Sequence, residues 1–236
     1  MTISNLERDF VLKAISSGIR LDNRSFNQYR ELNFDFSKKC RGSLILTLGG
    51  TRYCSFLKFK LIFRVQAIVS AELEKPFPDR PFEGQLSFFV EYSGTAINLD
   101  GFSIVGTRFD EDQYRLTVQR TLERAFKTGR AIDLESLCII TGQKVWNIRV
   151  DIHILEDDGN VLDAVLISAL AGMTDFRRPD VQVSADQEVK IYSSFERHPL
   201  PLSFHHSPLS ISFSLFQNID GNCTALIDPT NLEISA

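Results

Sequence analysis

The chain has 236 residues, with 26 Lys plus Arg against 30 Asp plus Glu and a formal net charge of −4. Hydrophobic residues make up 43% and charged residues 24%, which excludes a disordered chain and a freestanding nucleic-acid binder with a broad basic surface. A local basic strip stays open. Nineteen Phe stand against one Trp and five Tyr, a surplus that points to a filled core or a large partner interface.

The first element is a helix. Ser4 caps it, Glu7 closes a capping box three residues on, and Gly18 marks the stop. Leu6, Phe10 and Ala14 give it an apolar stripe. A polar segment with Arg20, Arg24 and Arg30 follows. Strands come next: residues 31–36 with Leu32, Phe34 and Phe36 on one face, then Leu44, Leu46 and Leu48 in alternation, then 65–73 and 85–92. The stiff loop Pro76-Phe-Pro-Asp-Arg-Pro81 separates the last two.

A helix is expected over about 110–127, with Leu116, Leu122, Ala125 and Phe126 toward a core and Gly129 at its end. Residues 135–141 and 145–155 read as a hairpin through Gly142-Gln143. The turn Asp157-Asp158-Gly159-Asn160 leads into a helix over 162–173 that is apolar almost all round, hence buried against a sheet. Further strands are expected at 189–192, 203–205, 209–216 and 224–227. Strands followed by a helix, twice, describe an α+β domain of two related βα halves, a single unit over residues 1–236.

No apolar run reaches the ~18 residues of a membrane span, and the amino terminus carries charge where a signal peptide needs an apolar run. Cys40, Cys54, Cys138 and Cys223 show no CxxC or metal-ligand spacing, so reduced thiols in a soluble intracellular protein are expected. Adjacent histidines on a strand point to opposite faces, which makes His205-His206 a poor chelate; no metal site is expected.

Three places carry candidate chemistry. Arg120, Arg124 and Lys127 recur at helical spacing, with Arg115 earlier; such a row either tracks a phosphate backbone or is a solvated face with Glu123 paired to Lys127. Arg80, held between prolines, is either a low-entropy binding contact or part of a plain surface turn. The Gly159 turn feeding a helix amino terminus has the shape of a phosphate cradle. Its electrostatics are wrong for one: Asp163 occupies the first turn and repels an anion, and Leu162 offers no charge. Asp220 and Asp228 near the last strand have no matching nucleophile or base.

An ordered set of segments resembles the RNase PH family, in particular the non-phosphorolytic ring subunits of eukaryotic exosomes. It comprises Gly18-Ile-Arg20-Leu-Asp22-Asn-Arg24 with Tyr29-Arg30, Asp133-Leu-Glu135-Ser136-Leu137-Cys138, and Gly142-Gln-Lys144-Val-Trp146-Asn-Ile-Arg149-Val-Asp151. Asp158-Gly159-Asn160 with Asp163-Ala164, Phe176-Arg177-Arg178-Pro179-Asp180-Val181 and Pro201-Leu-Ser203-Phe-His205-His206 complete it. The likeness covers almost the whole chain. It implies an RNase PH-like fold (ribosomal protein S5 domain 2-like).

Active members resemble one another in an Asp-Gly-Gly-Thr-Arg-Thr-Ala segment whose Arg holds phosphate. Here that stretch reads Asp158-Gly159-Asn160-Val161-Leu162-Asp163-Ala164, so Asp158, Gly159, Leu162 and Asp163 form a degenerate phosphate site. The family's two catalytic Asp, six residues apart, look matched by Asn222 and Asp228, with Asp220 open as a shifted match. Without the cation a phosphorolytic transition state lacks its charge partner. The resemblance therefore implies no catalytic residues, no cofactor and no metal, and a non-catalytic scaffold in 3′→5′ RNA processing and degradation, including rRNA maturation and mRNA turnover. The implied partners are other ring subunits, cap subunits and single-stranded RNA threading the ring channel, with Arg80, Arg120 and Arg124 as RNA contacts. The implied locations are nucleus, nucleolus and cytoplasm.

An active phosphate-dependent 3′→5′ exoribonuclease is the alternative. Residues 53–64 look extra to the family, as a retained in-frame intron would. The family also continues past the last residues here, so a carboxyl-terminally truncated domain with part of its second sheet uncovered is expected.

Overall fold

The computed structural model describes residues 4–49, 63–92, 108–184, 187–217 and 223–236, with side chains of 108–112 left aside. Helix α1 (Asn5–Ser16) starts where expected: the Ser4 hydroxyl accepts from the Glu7 amide and the Glu7 carboxylate accepts from the Ser4 amide. Four strands follow, β1 (Leu32–Phe36), β2 (Ser43–Leu48), β3 (Phe63–Glu74) and β4 (Gln85–Tyr92). Helix α2 (Arg108–Glu123) runs into a π-helical turn, Arg124–Thr128. After a 3₁₀ turn come β5 (Cys138–Ile140), β6 (Lys144–Glu156) and helix α3 (Val161–Asp175).

These strands form one six-stranded sheet in the order β1-β2-β3-β6-β4, with β5 on β6. Strand β6 enters between β3 (antiparallel) and β4 (parallel), so the two strands-then-helix runs interlock in one sheet. Alternation decides which face is covered. Leu44, Leu46, Leu48, Phe63, Val65 and Ala67 are buried at every second position, and Ile148, Val150, Ile152 and Ile154 answer them from β6. Helices α2 and α3 pack on the sheet, and α3 buries Val161, Ala164, Val165, Leu166, Ala169 and Met173. Of the segment expected to be extra, Phe63 and Arg64 lie in β3; residues 53–62 lie outside the described residues.

The rest forms three two-stranded ladders: β7 (Arg177–Arg178) with β10 (Leu200–Pro201), β8 (Val181–Val183) with β9 (Val189–Ile191), and β11 (Phe213–Gln217) with β12 (Cys223–Ile227). Helix α4 (Asn231–Ser235) has its own capping box at Thr230 and Glu233. The strand expected at 203–205 is reduced to a single bridge between Phe204 and Ile132. The strand expected from 209 begins only at Phe213, because Ser210 and Ser212 turn to a buried carboxylate instead of a neighbouring strand.

Two apolar faces differ from expectation. Helix α1 leaves Leu6 83% and Phe10 63% exposed. It buries Val11 and Ile15 against Phe216 and Leu226. On α2, Leu116 is exposed, and the core side is Val118, Leu122 and Phe126, with Phe126 packed on Phe88. Of the phenylalanines, Phe63, Phe88 and Phe126 are buried in the core, whereas Phe34 and Phe36 stack on one another at an exposed edge. Leu209, Ile211, Phe213 and Leu215 are also exposed, on alternate residues.

Candidate functional site

The polar segment between α1 and β1 supplies three arginines to one buried ion network. Arg30 donates from Nε and Nη2 to the two oxygens of Asp228, both at 2.8 Å, and from its amide to Oδ2 at 2.9 Å. Its Nη1 reaches Asp158 Oδ2 at 3.3 Å, and Nη2 also donates to the Gly159 carbonyl at 2.9 Å. Arg24 Nη1 adds a further bond to Asp228 at 2.9 Å and also pairs with Asp22. Arg20, 1% exposed, forms a bidentate pair with Glu233 and donates to the Ile227 carbonyl at 2.9 Å. Bidentate guanidinium–carboxylate geometry of this kind is strong and directional, and here it ties the 18–30 segment to both the Asp158 turn and the carboxyl-terminal strands.

The helix amino terminus of α3 is closed by the same groups. Asn160, in the left-handed region at φ 60°, donates from Nδ2 to Asp228 Oδ1 at 2.6 Å and to Asp163 Oδ2 at 2.9 Å. Asp163 is fully buried. Its carboxylate accepts from the hydroxyls of Ser210 (2.7 Å) and Ser212 (3.0 Å) and from the Ser212 amide (2.8 Å). These partners, brought from across the fold, hold the carboxylate in place. Leu162 packs against the hydrophobic core. Thus the turn has the cradle shape, but carboxylates fill it and no cation points into it from the Leu162 position.

Asp228 is fully buried. Burial alone would push its carboxyl up, yet the hydrogen bonds and charge of Arg30, with Asn160, hold it below the ordinary value. Asp158 goes the other way: burial pushes it up to about 7 against the opposing pull of Arg30. The unfolded carboxyl titrates near ~3.9. Between those values the folded chain keeps a proton that the unfolded chain has lost, so the Asp158 contribution favours folding at low pH and declines as pH rises to about 7. Asp228 has the opposite sign, stabilising above its unfolded pKa and losing that contribution as pH falls. Asp158→Asn is expected to flatten the fall in stability on going from pH 5 to pH 8, read as urea midpoints beside the wild type; parallel pH profiles would refute it.

The proline loop and the end of α2 meet. A cleft of about 320 Å³ is lined by Phe77, Pro78, Arg80, Glu83, Lys127 and Leu134. Arg80 is exposed and paired with Glu83 at 3.2 Å. Arg120, Arg124 and Lys127 are all exposed along the same helix and its π-helical extension. The cleft thus brings Lys127, at the end of that exposed row, beside the Arg80 loop. Asn222 lies outside the described residues. Among the described residues no cluster of three or more His, Cys, Asp or Glu is arranged to hold a metal, and no helix is long and apolar enough to cross a membrane.

Residues 28–179 match the 3′ exoribonuclease family, domain 1, known as RNase PH. The chain belongs to the RNase PH family. It is 39% identical over 98% of its length to exosome complex component RRP45 of Bos taurus, and 38% identical over 96% to RRP45A of Arabidopsis thaliana. The chain spans 47% of the bovine protein and 67% of the plant one, so it covers about half the length of the mammalian relatives it matches. Among solved structures, the Archaeoglobus fulgidus exosome with RNA bound to the active site superposes with a TM-score of 0.72 at 26% identity, covering 98% of this chain and 78% of that one. The RNase PH fold anticipated from the sequence is the fold observed. The arginine network was not anticipated: its members were visible as motif residues, but nothing local connects Arg30 to Asp228, which lies 198 positions away.

Proposed function

We propose that this chain is a ring subunit of an RNA exosome that holds its neighbours and contacts RNA without itself catalysing phosphorolysis. The observation that carries this reading is the closed turn at Asp158–Asp163: the position matching the phosphate-holding Arg of active members is Leu162, seated against the core. Asp228, the residue matching a catalytic carboxylate, is engaged by Arg24, Arg30 and Asn160. A carboxylate fully occupied by internal donors has no free lone pair for a reaction. The likeness to proteins named RRP45 supports membership of the ring, and the exposed alternate residues Leu209, Ile211, Phe213 and Leu215 suit burial by neighbouring subunits. Partners on this reading are other RNase PH-like ring subunits and cap subunits, acting in nucleus, nucleolus and cytoplasm on RNA in the channel.

In that ring Arg80, Arg120 and Arg124 face RNA, which the shared cleft of Arg80 and Lys127 supports. Two measurements test the proposal. Affinity purification is expected to recover other ring subunits, and a solitary monomer would count against it. The chain, alone or with its neighbour, is expected to release no nucleoside diphosphate from RNA in the presence of phosphate. Phosphate-dependent release by the purified chain would establish the exoribonuclease instead. Arg80→Ala should lower RNA crosslinking of the assembled ring; no change would leave only a protein-holding role.

A further inference from the structure

A second basic surface lies at the β1–β2 edge of the sheet. The β1–β2 turn carries Lys38, Lys39 and Arg41, all exposed. Together with Arg177, Arg197 and Tyr192 they line a cleft of about 700 Å³. The sheet order puts β1 and β2 at one edge and β4 at the other, with β3 and β6 between. The cleft is therefore distinct from the loop between β3 and β4 that bears Arg80.

The juxtaposition is built. Gly42 closes the turn at φ +82°, and its amide donates to Asp175 Oδ2 at 2.9 Å, fastening the turn to the end of α3 just before Arg177. A Cβ at Gly42 would stand 2.7 Å from the Phe176 ring, so only glycine allows this approach. Arg177 Nη1 is held by the carbonyls of Thr174 and Phe176. Arg197 is fixed by Asp180 at 3.0 Å and Gln182 at 3.2 Å, with its guanidinium 3.9 Å over the Tyr192 ring. Among the described residues no carboxylate forms a salt bridge with Lys38, Lys39, Arg41 or Arg177. Asp175 is engaged with Gly42, Asp180 with Arg197, and Glu196 with the Ser193 amide.

We infer that this cleft binds the phosphate backbone of single-stranded RNA, as a contact separate from the Arg80, Arg120 and Arg124 surface. Five cations gathered in one cleft of a chain with net charge −4 mark a local polyanion site. The pre-positioned arginine–tyrosine stack adds a planar surface beside the phosphates on which a base can layer. The flexible lysines of the turn supply point charges, and the braced arginines supply oriented forks. The inference does not need ring assembly, because every element of the cleft belongs to one chain.

The test uses the whole chain and a short uridine homopolymer, with affinity measured by anisotropy across a salt series. The Lys38→Ala/Lys39→Ala/Arg41→Ala variant alters only exposed turn side chains, and its circular dichroism checks the fold. Each phosphate neutralised on a single strand contributes about 0.7 to the salt slope, so losing three flattens it by about 2 and weakens binding roughly 100-fold at 0.1 M salt. The charge-keeping variant Lys38→Arg/Lys39→Arg should bind like the unmodified chain. Unchanged affinity and slope in the triple variant overturn the inference. So does a polyglutamate peptide that binds more tightly than RNA and is lost in the same variant, since it would assign the cleft to an acidic protein segment. RNA binding abolished by Arg120→Ala/Arg124→Ala but untouched by the triple variant would defeat the cleft and leave the ring proposal standing. Failure to recover ring subunits, with the triple variant still weakened, would do the reverse.

Discussion

Asp228→Ala is expected to destabilise the fold by about 3–5 kcal/mol, the range for removing one partner of a buried charge pair. The side chain accepts from the Arg30 amide, Nε and Nη2, from Arg24 Nη1 and from Asn160 Nδ2. Alanine takes the shared carboxylate from two guanidinium groups whose side chains are only 5% and 10% exposed, leaving Arg30 only Asp158 and Arg24 only Asp22 as carboxylate partners. Against a total stability of about 5–15 kcal/mol for a domain, such a loss brings the chain close to unfolding. A urea titration checks it, and a change below about 1 kcal/mol would contradict the buried network. The companion variant Arg30→Met/Asp228→Leu removes Asp228 together with Arg30 and leaves Arg24 paired with Asp22. It is expected to be more stable than Asp228→Ala, because the penalty lies in the unpaired charge left behind and not in the missing attraction.

Gly159→Ala is the second large effect. Gly159 has φ +84°, where a side chain costs about 1–3 kcal/mol in backbone strain. Its new Cβ would also meet three backbone atoms of the segment entering α4: the Asn231 amide at 2.6 Å, the Thr230 carbonyl carbon at 2.8 Å and the Pro229 oxygen at 2.9 Å. Backbone cannot rotate away as a side chain does, so the 229–231 segment has to move. That segment leads directly to Glu233, the partner of Arg20. Gly142→Ala serves as the control: it shares a positive φ, +74°, but has open space around the added carbon. Thermal melts are expected to show Gly159→Ala clearly below Gly142→Ala; equal losses would mean that strain alone matters and that α4 is not pressed on the turn.

Together these variants separate what seals the Asp158 turn from what merely shapes it. The glycine allows the close approach of α4, and Arg30 binds the carboxylates of Asp158 and Asp228 beside the turn. The turn is thereby a structural junction between the amino-terminal segment and the last strands. The basic surfaces are left to the outside of the fold.

Much of this was legible in the residues. The capping box of α1, the alternation of β2, the bounds of β4 and the all-round apolarity of α3 each follow from local spacing, and each appears where expected. The uncharged Leu162 and acidic Asp163 in the first turn of α3 were visible too, because each is a matter of chemistry at a single position. The side to which an amphipathic element turns was harder. In α1 the apolar positions Leu6 and Phe10 share spacing with Val11 and Ile15, and only the position of Phe216 and Leu226 selects the second set for burial.

The opening contrast between net charge and nucleic-acid binding resolves in the same way. By itself the sequence determined the main-sheet strands, the three long helices and the lack of a cation at Leu162, since periodicity, capping and charge act over a few residues. The tertiary structure alone decided which charges are neutralised. It buried Arg20 and Arg30 against Glu233 and Asp228, and left Lys38, Lys39 and Arg41 beside Arg177. Charges distant in sequence interact only once the chain has brought them within a few ångström, and a composition total counts paired and unpaired cations alike.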